Sequence, residues 1–158
     1  MKLVAIDFET ADLSADSACA IGIVSIEKGK ITKKGYRLIR PPRRHFIFSY
    51  IHGISWADVE AQPTFNEVWD HFASFWKNAD YFLAHNAPFD RKVMTACCSA
   101  AGRRPPRTSC ICTVRELVRI GIFDRQTCQP YVPSWEYRLS TIMPLPMHWP
   151  AHRLLFVQ

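Results

Sequence analysis

The chain has 158 residues, of which 48% are hydrophobic and 22% are charged, and its formal net charge is +6. This length and composition exclude a disordered chain and suit one globular domain, which we place over residues 1–158. No apolar stretch approaches the ~20 residues that cross a bilayer, so we expect no membrane partner. The excess of basic residues favours a polyanionic partner such as nucleic acid.

The first predicted element is a buried strand over residues 2–6, an apolar run with a β-branched bias. Because this strand begins so close to residue 1, we expect no secretory signal and a cytoplasmic location. Asp7 and Glu9 follow at the strand's end, where residues two apart point to the same side. Two carboxylates that close repel each other unless a cation lies between them, so the pattern predicts a metal site.

The following segments predict the rest of a sheet. Strands are expected over residues 18–25 and 32–39, joined by a turn at 27–30, so the sheet begins antiparallel. Thr64 and Glu67 have the spacing of a capping box, which predicts a helix start. The apolar positions of this helix are assigned to the core: Phe65, Val68, Trp69, Phe72, and Phe75 or Trp76.

The next predicted elements alternate between strands and helices, which favours parallel pairing. They are a strand at 81–84, a helix from 88 or 89 to 101, a strand at 108–112 and a helix at 113–120. A mixed five-stranded α/β sheet flanked by helices follows from this order. The first of these strands leads into His85, which we expect to order the loop by hydrogen bonding, and delivers Asp90 to the start of a helix. Carboxylate oxygens suit hard cations such as Mg²⁺ or Mn²⁺.

Three motifs carry a resemblance to a known family: Asp7-Phe8-Glu9-Thr10, Ile51-His52-Gly53-Ile54, and His85-Asn86-Ala87-Pro88-Phe89-Asp90. In order and spacing they resemble the DnaQ-like (DEDDh) 3′-to-5′ exonucleases, which include the proofreading epsilon subunit of bacterial DNA polymerase III and stand-alone relatives. The resemblance extends from residue 1 to about residue 142. It implies a ribonuclease-H-like fold and hydrolysis of phosphodiester bonds at the 3′ end of DNA or RNA with two divalent cations, Mg²⁺ or Mn²⁺. The implied partners are single-stranded or 3′-terminal nucleic acid, and a polymerase or a second copy of the chain.

The resemblance also implies roles for individual residues. Asp7, Glu9 and Asp90 would be catalytic metal ligands, and His152 would be the general base. The residues that would line the nucleotide site are Phe8, Thr10, His52, Asn86 and Phe89. Two of these have alternatives, because Phe8 suits plain packing equally well and His52 suits either loop support or stacking on a terminal base.

The tail departs from the family pattern. Val157 stands five residues after His152, where the family has its last metal-binding Asp, and no acidic residue follows Glu136. The sequence also ends where the family continues into a final helix, so we expect a chain altered after about residue 142 that lacks this helix. Three hypotheses stay open: an exonuclease impaired by the missing carboxylate, an exonuclease-fold module that binds nucleic acid or a polymerase without cutting, and an endonuclease with the same type of sheet.

Two arginine groups lie in proline-containing loops: Arg40, Arg43 and Arg44 in one, and Arg103, Arg104 and Arg107 in the other. Either group is a candidate for phosphate contacts or a solvated connection. The six cysteines lack the usual spacing of zinc ligands, so we expect buried free thiols rather than a zinc or disulfide site.

Overall fold

The computed structural model describes residues 1–119, apart from the side chains of Leu117 and Val118. The predictions for His152, Val157 and the last helix lie outside the described residues. No helix among residues 1–119 is both long and apolar enough to cross a membrane.

The described residues form strands and helices in the predicted order. The strands are β1 Lys2–Thr10, β2 Ala18–Glu27, β3 Lys30–Leu38, β4 Tyr81–Ala84 and β5 Cys110–Cys112. The helices are α1 Ser49–His52, α2 Trp56–Val59, α3 Phe65–His71, α4 Ala73–Trp76, α5 Ala87–Ala100 and α6 Thr113–Arg119.

The five strands make one mixed sheet in the order β3-β2-β1-β4-β5. β2 pairs antiparallel with both β1 and β3, whereas β4 pairs parallel with both β1 and β5. The prediction of a mixed five-stranded sheet flanked by helices is therefore confirmed, and the arrangement is ribonuclease-H-like.

β1 differs from the predicted strand in length and burial. It continues to Thr10, so both acids lie within the strand rather than after it. Val4, Ile6 and Phe8 are buried, while the alternate residues on the other face, Asp7 among them, are only half-buried. The two faces of β1 therefore differ: one packs into the core, and the other carries the acids and is called the acid face below.

The core consists of two clusters on the two faces of the sheet. The larger one joins the Val4, Ile6 and Phe8 face to α3 and α5. The smaller one packs Ile54 and Val59, with the segment around them, against Ala20. Since Ala20 lies opposite Glu9 in the antiparallel pair, the segment that contains α1 and α2 covers the acid face beside Glu9.

The predicted long helix after Thr64 is broken at Phe72. The capping box at its start is confirmed, because the backbone N–H of Thr64 donates to Glu67 Oε2 at 2.8 Å. Phe72 ends α3 with φ −88° and ψ 7°, and α4 starts on its other side. The Phe72 ring packs under β3 at Gly35, where an added Cβ would come within 2.4 Å of it. The absent side chain of Gly35 therefore gives the ring its room.

The five cysteines among residues 1–119 are free thiols, and four of them are buried. Burial raises the pKa of Cys97 to about 12 and of Cys98 to about 11. These thiols are therefore protonated near neutral pH and serve as small apolar core residues.

Candidate active site

A hydrogen bond joins the two acidic motifs across the sheet. β1 pairs with β4 only through Leu3–Ala5, opposite 81–83. The backbone groups of even-numbered β1 residues point toward β4, as the 2.9 Å bond from Asp80 N–H to Lys2 O shows. Beyond this pairing the N–H of Phe8 donates instead to Asp90 Oδ1 at 3.0 Å. The early end of the β1–β4 pairing thus leaves a place beside β1 that the Asp90 carboxylate fills.

Asp90 is held there by the start of α5. Asn86 precedes the helix in the left-handed conformation, with φ 62° and ψ 51°, which asparagine tolerates better than most residues. Asp90 lies in the first turn, where the helix dipole favours a negative charge, and it is only 1% exposed. His85 lies 3.2 Å from Thr113 Oγ1 through its Nδ1, so the loop before α5 has the side-chain contact that its sequence suggested.

Asp7 and Glu9 are half-buried on the acid face of β1. Their partners in β2 are small, since Asp7 lies opposite Gly22 and Glu9 opposite Ala20. Burial, followed by the nearby negative charge of Glu9, raises the pKa of the Tyr36 hydroxyl to about 12. The Tyr36 hydroxyl near Glu9 is therefore neutral at physiological pH.

His52 is buried and uses both ring nitrogens within the protein. Its Nδ1 accepts a hydrogen bond from the N–H of Ile54 at 3.0 Å. This contact leaves the proton on Nε2, which donates to the carbonyl of Thr10 at 3.1 Å. With 5% of the residue exposed, the geometry favours loop support over stacking on a base.

The other predicted nucleotide-site residues occupy different environments. Phe8 is fully buried, and its ring centroid lies 6.4 Å from that of Phe65, which favours the packing alternative. Thr10 is buried beside His52. Phe89 is half-buried against the larger core cluster, whereas Asn86 is exposed at the start of α5.

The donor atoms suit a hard divalent cation, because Asp7, Glu9 and Asp90 supply carboxylate oxygens. Within residues 1–119, however, no group of three or more His, Cys, Asp or Glu is arranged to hold a metal ion. The described part of the chain therefore supplies acids of the right chemistry, and their joint binding of a cation stays a prediction.

Two of the loop arginines form ion pairs within the protein. Arg43 donates to Asp16 through both terminal nitrogens and lies 3.7 Å from Asp12. Arg103 donates to both carboxylate oxygens of Asp70, one of them at 2.8 Å. Arg43 thus joins its loop to the segment between β1 and β2, and Arg103 joins the loop after α5 to α3. Both arginines therefore have a structural role besides phosphate contact and solvation, which their sequence pattern did not predict.

A backbone contact beside the acids was also not predictable from the sequence. The carbonyl of Ala11 accepts hydrogen bonds from the N–H groups of Ile47, at 2.8 Å, and Phe48, at 3.2 Å. The segment before α1 is thereby fixed to the end of β1. No local pattern could reveal a contact between residues so far apart in the chain.

This sheet, with acids on its central strand and a further acid docked there by α5, has the ribonuclease-H-like arrangement. Residues 4–142 match the exonuclease family model RNase_T, and the chain therefore belongs to this exonuclease family, within the DEDDh superfamily. The comparison with curated proteins gave no match.

Solved structures of exonucleases share the fold. Exonuclease X in complex with 5′-overhanging duplex DNA is 30% identical with a TM-score of 0.61, and the match covers 77% of this chain and 66% of that one. A full-length 3′-exonuclease is 16% identical with a TM-score of 0.68, over 81% of this chain and 49% of that one. A zinc-bound complex of E. coli ExoI with single-stranded DNA is 13% identical with a TM-score of 0.62, over 73% and 28%. The chain thus spans less than two thirds of these relatives' own lengths.

Proposed function

We propose that this chain is a metal-dependent 3′-to-5′ exonuclease of the DnaQ-like branch, acting on the 3′ end of DNA or RNA. The observation that carries the proposal is the hydrogen bond from Phe8 N–H to Asp90 Oδ1. It docks the acid of the second motif onto the strand that carries Asp7 and Glu9. The likeness to Exonuclease X bound to DNA supports a nucleic-acid substrate.

The carboxylates would hold the catalytic cations. Asp7, Glu9 and Asp90 are the residues we assign to two divalent ions, Mg²⁺ or Mn²⁺. When bound, such ions supply positive charge at the scissile phosphate and make water a stronger nucleophile at neutral pH. The Asp90 carboxylate would be in position before a cation binds, because α5 and the hydrogen bond from the Phe8 N–H already hold it beside β1.

A proton acceptor is the second requirement of the reaction. We assign this role to His152, which lies outside the described residues. A neutral imidazole has a pKa suited to taking a proton from water near pH 7. The exposed Asn86 and the half-buried Phe89, beside Asp90 at the start of α5, are our candidates for contacts with the terminal nucleotide.

A second candidate function is binding of nucleic acid or a polymerase partner without cleavage. Val157 favours it, because valine stands where the family has a metal-binding Asp and cannot bind a cation. The intact Asp7, Glu9 and Asp90 favour the enzyme. The two functions differ in one measurable property, which is the release of nucleotides.

The test is a cleavage assay on a 5′-labelled single-stranded oligonucleotide with Mg²⁺ and, separately, Mn²⁺. Mn²⁺ is included because Mg²⁺ demands near-ideal octahedral ligation. We expect products shortened stepwise from the 3′ end, and no products from the matched variant Asp7→Asn. Binding without products would establish the second candidate, and a single internal cut would establish an endonuclease. Equal cleavage by Asp7→Asn would overturn the assignment of the acids.

A further inference from the structure

Helix α1 carries two rings with opposite surroundings. His52 is 5% exposed and faces the sheet, whereas Tyr50 is 83% exposed. Residues two apart on a helix are separated by about 200° around its axis, so a helix that buries His52 turns Tyr50 outward. The stacking role that was predicted as an alternative for His52 therefore suits Tyr50 better, because the Tyr50 ring is accessible to a base and the His52 ring is not.

The backbone of Tyr50 is fixed close to the acids. Phe48, two residues before it, donates its N–H to Ala11 O at 3.2 Å. His52, two residues after it, donates to Thr10 O at 3.1 Å. Both acceptors directly follow Glu9 in the chain, so α1 is tied on both sides of Tyr50 to the end of the strand that carries the acids.

Tyr50 also lies on the correct side of the sheet. The residues that follow α1, Ile54 and Val59, pack with Ala20. Ala20 is the antiparallel partner of Glu9 and shares its face. The segment from Phe48 to Val59 thus covers the acid face next to Glu9, and Tyr50 projects from this segment into solvent.

Tyr50 is the most exposed aromatic side chain among residues 1–119. Its exposure of 83% is about twice that of Tyr81, at 40%. A single exposed apolar side chain needs no special explanation, but the backbone on both sides of this ring is hydrogen-bonded to the end of β1, beside the face that carries Asp7 and Glu9 in a basic protein. An aromatic ring in that setting has the chemistry that recognises an unpaired nucleobase, since every base offers a π-face.

We propose that Tyr50 is a stacking platform for one nucleobase of a single strand whose 3′ end enters the acid site. This inference rests on the proposed function. Stacking is tolerant of base identity, so Tyr50 should favour unpaired over paired ends without selecting a sequence.

The test is equilibrium binding of a 5′-fluorescein-labelled single strand to the full chain, measured by fluorescence anisotropy. EDTA is present to remove divalent cations, so that no cleavage occurs. Tyr50→Ala should bind about ten- to a hundredfold more weakly, the range that loss of one stacking ring gives, and Tyr50→Phe should bind like the wild type. Tyr81→Ala is the matched control, because Tyr81 is also an exposed tyrosine but lies at the start of β4, the opposite end from the site. It should leave binding unchanged.

A series of strands with one abasic position separates stacking from a structural effect. One abasic position near the 3′ end should weaken binding to the wild type and leave binding to Tyr50→Ala unaltered. Equal affinities of the wild type and Tyr50→Ala, or the same abasic penalty in both, would overturn this inference while the proposed function stood. No binding by the intact chain in EDTA would also overturn this inference, whereas the proposed function is decided by the release of nucleotides in the cleavage assay with metal.

Discussion

Replacement of Asp90 separates its structural contribution from its proposed role as a metal ligand. Its Oδ1 accepts the N–H of Phe8 at 3.0 Å, and the side chain is 1% exposed. In Asp90→Ala this buried N–H loses its acceptor, which should lower the free energy of unfolding by about 1–3 kcal/mol. Asp90→Asn retains an acceptor oxygen without the charge, so its loss of stability should be smaller, below ~1 kcal/mol.

The assay is urea unfolding in EDTA, followed by tryptophan fluorescence, for the wild type and both variants. A cation that binds the folded protein raises the midpoint in proportion to the logarithm of its concentration above Kd. Addition of Mn²⁺ should therefore stabilise the wild type and leave both variants nearly unchanged. Cleavage should be lost in both variants.

Two results would refute this reasoning. Equal destabilisation by alanine and asparagine would show that the Phe8 hydrogen bond is not what Asp90 contributes to stability. Full cleavage and full Mn²⁺ stabilisation in Asp90→Asn would show that its charge binds no cation.

Three further predictions follow from packing and charge. Gly35→Ala should lower the free energy of unfolding by about 1–3 kcal/mol in urea melts, since its Cβ would come within 2.4 Å of the Phe72 ring, and Phe72→Leu in the same chain should recover part of the loss. Hydrogen bonds from Arg43 hold the pKa of Asp16 below 3.8, so this pair stabilises the fold above pH 3.8 and loses its effect as the pH falls through the lower folded-state pKa. In Arg43→Gln the free energy of unfolding should therefore decrease less steeply as the pH falls below 3.8, which urea melts at a series of pH values measure. Neutralising the exposed Arg104 should reduce the slope of log K against log salt for single-strand binding by about 0.7, the value for one phosphate contact. Arg43→Gln should change this slope less, because Arg43 is paired within the protein. Equal slopes in the two variants would contradict the prediction.

The features that could be predicted from the sequence are those that neighbouring residues determine. The capping box of Thr64 and Glu67 spans three residues and is present as predicted. The alternation of strands and helices after residue 80 likewise indicated parallel pairing, which the sheet shows. The side on which Asp7 and Glu9 lie follows from the two-residue period of a strand, and β1 has that period.

The features that could not be predicted depend on residues brought together by the fold. The Phe8–Asp90 hydrogen bond joins positions 82 apart, and the Arg103–Asp70 pair joins positions 33 apart. The break at Phe72 arises where its ring meets Gly35 of another element, whereas local periodicity favoured a continuous helix. Tertiary contacts overrode local preference at these places.

The acids make a final prediction about how metal and substrate depend on each other. Asp7 and Glu9 lie on a half-buried face, and no complete ligand group is found among residues 1–119. Mg²⁺ is commonly held by one or two carboxylates together with substrate phosphates and water. We therefore expect weak Mn²⁺ binding to the chain alone and tighter binding when a phosphorothioate single strand, which resists cleavage, is present. Because coupling between two ligands is reciprocal, Mn²⁺ should increase the affinity for the strand by the same factor. Titration of Mn²⁺ by electron paramagnetic resonance, with and without the strand, measures this factor, and Asp7→Asn should reduce it toward one. Equal Mn²⁺ affinity in both conditions would mean that the protein alone completes the ligand set, with residues beyond 119 supplying what the described acids lack.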